Sequence, residues 1–106
     1  MISININDSF GNSMQIDDVV VCHYTNSKVK FFGLLQFKKD SCCFILTDGV
    51  DDYESIDFKS RYKKYERLCK LSDAPTIKKE LGYVEVAQEK EFDKIFKLIT
   101  ETQSPC

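Results

Sequence analysis

The chain's only histidine, His23, directly follows Cys22, and Cys43 and Cys69 lie further along. A histidine beside a thiol can act as the base to a nucleophile, and with two more cysteines it could ligate zinc. Either chemistry requires the side chains to converge. The surrounding "DVVVCHY" is β-branched and apolar, which marks a strand, and neighbours along a strand point to opposite faces. Cys22 and His23 are therefore expected to part. There is no CxxC pair to anchor a metal, and no nucleophile elbow, Walker loop, zincin or dinucleotide motif. The expectation is a protein that is not an enzyme and holds no metal or cofactor. His23 is then a structural residue near the surface, and the cysteines are reduced, small hydrophobes.

Charge is more informative than catalysis. Residues 48–57 hold five acids and no base: Asp48, Asp51, Asp52, Glu54 and Asp57, with Tyr53 among them. Residues 59–70 hold six bases (Lys59, Arg61, Lys63, Lys64, Arg67 and Lys70) against Glu66, with Tyr62 and Tyr65 interleaved. The acids do not follow the spacing of a calcium loop. They suit a surface that steers the protein to a basic partner, with Tyr53 as an aromatic anchor; the plainer reading is solubility. Lys59, Arg61, Tyr62, Lys63, Lys64, Tyr65 and Arg67 suit a phosphate-tracking strip with tyrosines for base stacking; the plainer reading is a solvated face. A net charge of −2 argues against a nucleic-acid domain, which usually carries a positive excess.

The 106 residues fit a single domain (1–106) and a core too small to shelter a deep cavity. "ISINI" (2–6) alternates as a half-buried strand does, and "NDSFGNS" breaks it. Strands are expected at 17–24, 28–39 and 42–48, with Gly33 in the second marking a bulge or barrel corner. "GVDDYES" reads as an acidic loop or a short edge strand, and 56–72 as strand, although Tyr65, Leu68, Cys69 and Leu71 at its end fit helix as well. A short helix is expected between Ser72 or Asp73 and Gly82, then a strand at "YVEVA", then a helix over "QEKEFDKIFKLIT" whose Phe92, Ile95, Phe96 and Ile99 form one apolar stripe. The fold expected is mainly β (α+β): a small five-stranded SH3/Sm-like barrel, or a strongly bent antiparallel sheet, with a C-terminal α-helix. The barrel would span about 2–72 and the helical part about 73–101.

The stretch "GLLQFKKDSCCFILTDGVDDY" (33–53) resembles the first conserved block of Sm/Lsm-like RNA-binding barrels. Gly33 and Leu35 match its Gly-x-Leu, Phe44 and Leu46 its inward strand positions, Asp48 its acid, and Asp51, Asp52 and Tyr53 its acidic end. The resemblance implies a barrel of the SH3-like type. It departs from the family where RNA is read, with Lys39 in place of the turn Asp and Cys43 in place of the base-contacting Asn; a thiol lacks the amide's paired donor and acceptor. The second block, Arg followed by Gly, has at best Arg67 followed by Leu68.

With no export signal at "MISININDSF" and no apolar run of membrane-spanning length, a cytoplasmic location without membrane contact is expected. The function expected is stoichiometric binding of another protein, a basic one such as a nuclease or toxin. An inhibitor or immunity-type protein, or an accessory protein of a phage or mobile element, fits the size and acidity. The alternative is an Sm/SH3-like protein that binds RNA or single-stranded nucleic acid.

Overall fold

Gly33 sits where the longest of the described strands changes partners, and the sheet is arranged about that point. A computed structural model of the chain describes residues 5–73 and 81–85. Its strands are β1 (Ile6–Asn7), β2 (Ser13–Met14), β3 (Asp18–Tyr24), β4 (Val29–Lys38), β5 (Cys43–Thr47), β6 (Tyr53–Ser55), β7 (Lys63–Lys70) and β8 (Gly82–Glu85), with a 3-10 turn at Leu71–Asp73. Every pairing is antiparallel. β1 and β2 form a separate ribbon, and the main sheet runs β6-β5-β4-β3-β7 with β8 also on β4.

β3 occupies one edge of β4. On the other edge, Val29–Phe32 pair with β8 and Leu34–Lys38 with β5. Gly33 lies between these two stretches. A Cβ there would fall 2.8 Å from the Cβ of Leu46 and 2.9 Å from both the Phe31 ring and the Thr47 amide nitrogen. Only a residue without a side chain lets the strands approach this closely.

The register sorts the side chains into two faces. Met14, Val20, Cys22, Phe31, Leu35, Leu46 and Tyr65 are buried together on one, with Ile6, Ile16, Tyr24, Phe44 and Ile56 packed around them. Val19, Val21, Phe32 and Cys69 are buried on the other, against Leu34, Leu68, Leu71, Leu81 and Val84. Burial on both faces explains why β3 begins with a continuous apolar run instead of an alternation. Each large apolar side chain buried this way contributes about 1.5–3 kcal/mol before entropy is counted.

The outer side of β7 is covered by the segment between β1 and β2. The Ser9 amide donates to the Tyr65 carbonyl at 2.9 Å, and the Tyr65 amide donates to Ser9 Oγ at 2.8 Å. The Arg67 amide donates to Asp8 Oδ2 at 2.7 Å. Asp8 Oδ1 takes the amides of Phe10 and Asn12, both at 2.8 Å, and Oδ2 also accepts from Asn12 Nδ2 at 3.0 Å. One buried carboxylate thus folds the connection and fastens it to β7. Next to it, β7 carries an irregularity opposite Val19 and Val20, where Arg67 Nε donates to Asp18 Oδ2 at 3.0 Å.

The mainly β expectation holds, and its antiparallel sheet is observed. There are eight strands among the described residues where a barrel of about five was expected: the acidic segment takes the edge-strand form as β6, β8 forms at "YVEVA", and β2 is added within the segment expected to break regular structure. The expected strand from 56 is delayed to Lys63: turn bonds bend 57–62 instead, with the Ser60 amide donating to the Asp57 carbonyl at 3.2 Å and the Lys59 amide to Asp57 Oδ1 at 3.0 Å. Gly82, expected as a helix stop, opens β8. The ladder among the described residues is open, since β6 and β7 do not pair. Its ends nonetheless meet through side chains: Tyr65 Oη donates to the Ser55 carbonyl at 3.4 Å, and Lys63 pairs with Glu54 at 3.3 Å. The helices expected within 73–101, including the Phe92, Ile95, Phe96 and Ile99 stripe, lie outside the described residues. Among those described, no helix is long and apolar enough to cross a membrane.

Candidate functional site

The acidic segment divides into three kinds of residue. Asp48, at the end of β5, turns its carboxylate back on the loop: Oδ1 accepts from the amides of Val50, Asp51 and Asp52 at 2.8, 3.1 and 3.2 Å. Thr47 Oγ1 donates to the Asp52 carbonyl at 3.1 Å and accepts from the Gly49 amide at 3.0 Å, while the Asp48 amide donates to the Asp52 carbonyl at 3.2 Å. Gly49 supplies the left-handed φ of 83° that this path needs. Successive amides make an anion-binding concavity, and here the chain's own carboxylate fills it. Asp48 and Asp57 are therefore turn-forming groups, and Glu54 lies in a cleft described below. Asp51 and Asp52 remain at the surface.

Between these acids the loop presents apolar groups. Val50 is 81% exposed, and Tyr53 is 47% exposed at the start of β6. Lys38, from β4, holds the tyrosine: its Nζ donates to Tyr53 Oη at 3.0 Å and stands 4.2 Å from the ring centroid. Contact with Tyr53 raises the Lys38 pKa, so the lysine keeps its charge.

The basic segment is less continuous than its sequence. Tyr65 is fully buried, accepts from the Asp57 amide at 2.9 Å and packs edge-on against Phe58 at 5.3 Å between centroids. It is a strut in the core, so its assignment to a stacking surface is corrected. Its position opposite Cys22, on the inward face of β7, is the reason. Arg67 is bound to Asp18 and Lys63 to Glu54. Lys59, Arg61, Tyr62 and Lys64 are exposed.

At one end of the inner face, Tyr24, Ser27, Val29, Glu54 and Tyr83 line an open cleft of about 260 Å³. The Glu54 side chain is only 16% exposed. Its Oε2 accepts from Lys63 Nζ at 3.3 Å, and its Oε1 accepts from Tyr83 Oη. The Tyr83 ring stands edge-on to Phe31 at 4.8 Å. The Tyr24 hydroxyl is buried close to Glu54 and the Cys22 thiol, with no hydrogen bond of good geometry. Burial, then the nearby Glu54, push its pKa far up, so the phenol stays protonated. Burial, then Glu54, also push the neighbouring Cys22 thiol up to about 11.

The register carries Cys22 inward, opposite Phe31 and Tyr65, and His23 outward, opposite Lys30 and Lys64. His23 Nε2 lies 3.3 Å from Glu66 Oε1. Burial and the charge of Lys30 lower its pKa against the opposing pull of Glu66. Cys69 is buried on the outer face and Cys43 is half-buried beside Ser41 Oγ at 3.1 Å. The two cysteines and His23 are distributed over the sheet, and no group of three metal-binding side chains forms among the described residues.

No protein-family model, curated protein or solved structure matches the chain. The resemblance at 33–53 therefore rests on those residues alone. Within them, Leu35 and Leu46 are buried on the inner face and Phe44 packs against it.

Sequence reasoning missed the cleft. Glu54 was grouped with the surface acids, and Tyr24, Val29 and Tyr83 were not singled out. A signal for Tyr24 existed: two residues beyond inward Cys22, the alternation of β3 turns it to the same face. Val29 and Tyr83 have no such local mark, since only the pairing of β4 with β8 brings them there.

Proposed function

We propose that the protein is a non-enzymatic binding module that acts by stoichiometric occupation of a basic partner protein, through the loop from Asp48 to Tyr53. The observation that carries this reading is the loop's internal hydrogen bonding. Asp48 and Thr47 hold it in one shape while Val50, Asp51, Asp52 and Tyr53 face outward. A loop ordered before contact loses little conformational entropy on binding, and exposed apolar groups ringed by acids suit a positively charged protein surface. An inhibitor or immunity-type role, or that of a phage or mobile-element accessory protein, in the cytoplasm, agrees with this mode of action. The SH3/Sm-like barrel is part of the same proposal, supported by the change of partners along β4 at Gly33 and by the side-chain bridges between β6 and β7.

The competing reading, binding of RNA or single-stranded nucleic acid, has weaker support. Tyr65 is in the core, and Arg67 and Lys63 are paired with carboxylates, which leaves Lys59, Arg61, Tyr62 and Lys64 for phosphates and bases. The test is the double charge reversal Asp51→Lys/Asp52→Lys combined with Val50→Ser. Partner association is expected to slow and its salt dependence to shrink, while the fold is retained. Unchanged association would exclude the loop as the contact.

A further inference from the structure

The cleft at the end of the inner face has a chemistry of its own, and the geometry points to it as a receptor for a lysine side chain of the partner protein. This deepens the reading above, since it names the group on a basic partner that the module would grip. Tyr24, Val29 and Tyr83 offer apolar and aromatic wall, and Glu54 supplies a carboxylate that is mostly withdrawn from solvent. A lysine has an apolar stem ending in a compact cation, and aromatic faces attract such a cation while a carboxylate fixes its end.

Two details favour an ammonium over a guanidinium. Arginine binds a carboxylate best as a fork across both oxygens. In Glu54, Oε2 already accepts from Lys63, so with Tyr83 moved aside only Oε1 is open and a fork has no free pair of oxygens to meet. A lysine ammonium carries three donors from one point and needs only one further lone pair of Glu54. The buried Tyr24 hydroxyl lies close to Glu54 and the Cys22 thiol and keeps its proton, and its oxygen can accept a further bond. Lys63 does not close the site: it holds Oε2 at 3.3 Å and leaves Oε1 to a second cation once Tyr83 moves aside. The Tyr24 hydroxyl has no accessible surface, so entry requires the Tyr83 ring to swing off Glu54. Tyr83 is 51% exposed, so this side of its ring faces solvent.

The test is a nuclear magnetic resonance titration of the full chain with Nα-acetyl-lysine methylamide. Nα-acetyl-norleucine methylamide serves as the uncharged shape control and Nα-acetyl-arginine methylamide as the guanidinium control. The lysine probe is expected to shift resonances of Tyr24, Glu54 and Tyr83 and to bind at least tenfold more tightly than either control. Glu54→Gln is expected to abolish this preference, and Tyr24→Phe, which removes only the hydroxyl, to weaken it with the fold intact. Equal binding of norleucine, a preference for arginine, or indifference to Glu54→Gln in a folded variant overturns the assignment. With the partner protein itself, affinity that falls in the Val50, Asp51 and Asp52 variants but not in Tyr24→Phe or Glu54→Gln overturns the cleft and leaves the loop reading standing. Affinity that falls only in the cleft variants does the reverse.

Discussion

Asp8→Ala is expected to be among the most damaging single substitutions on the surface-facing side of β7, although the residue lies in a short connection. Its carboxylate accepts four hydrogen bonds: from the amides of Phe10, Asn12 and Arg67 and from Asn12 Nδ2. Removing the acceptor orphans all four donors. Phe10 and Asn12 are exposed, so water can replace their share, whereas the Arg67 amide sits in a partly buried strand position and donates to the Asp8 carboxylate. A buried donor left unsatisfied costs about 1–3 kcal/mol. With loss of the turn geometry added, Asp8→Ala should destabilise by about 2–4 kcal/mol, a fall in Tm on the order of 10 °C or more for a domain of this size. Asp8→Asn keeps Oδ1 but sets an amide donor against the donors on the Oδ2 side, so about half the loss should remain.

The acid limb gives an independent check. Burial acts to raise the Asp8 pKa, but the amide of Arg67, the Asn12 side chain and the amides of Asn12 and Phe10 outweigh it and hold the carboxyl below 3.8. The unfolded chain therefore takes up this proton first. The stabilisation is present above pH 3.8 and is lost as pH falls through the lower folded value. Chemical denaturation of wild type, Asp8→Ala and Asp8→Asn across this range measures both effects. A change within about 0.5 kcal/mol for Asp8→Ala, the range of an ordinary surface substitution, would refute the reasoning.

Gly33→Ala is expected to destabilise by about 1–3 kcal/mol or to block folding, because its methyl group meets Leu46, Phe31 and the Thr47 backbone below 3.0 Å; thermal denaturation measures this. Tyr65→Phe should cost about 1–2 kcal/mol by orphaning the Asp57 amide at 2.9 Å, while hydrogen exchange at Asp57 speeds up. The depressed His23 pKa means that folding favours the neutral ring, so this residue's contribution to stability is full above pH 6.5 and declines as pH falls below it. His23→Gln should flatten that part of the stability profile, as denaturant titrations at several pH values would detect.

Strand positions were legible in the sequence wherever local pattern and burial agree. The apolar runs of β3 and of "CCFILT" and the glycine in β4 each mark what the structure builds there. The opposite orientations of Cys22 and His23 follow from alternation alone. Less legible were features that depend on which strands pair. Tyr65 looks like part of a basic stripe until β7 is set against β3, when it falls opposite Cys22 and goes inward. Asp8 looks like an ordinary turn residue until Arg67, distant in sequence, brings its amide to the same carboxylate. Glu54 reads as one acid among five, yet its place opposite Leu46 on the inner face separates it from Asp51 and Asp52. Asp48 and Asp57 read as surface charge because the sequence does not reveal that their oxygens cap backbone amides.

The most direct test of the account is a calorimetric titration of the partner protein retained by the wild-type chain, at low and high salt, beside a single-stranded oligonucleotide. The expected result is a one-to-one protein complex that weakens with salt and is lost in Val50→Ser/Asp51→Lys/Asp52→Lys, with no heat from the oligonucleotide. The contradicting result is oligonucleotide binding that falls steeply with salt, disappears in Lys59→Glu/Arg61→Glu and is untouched by the loop substitutions.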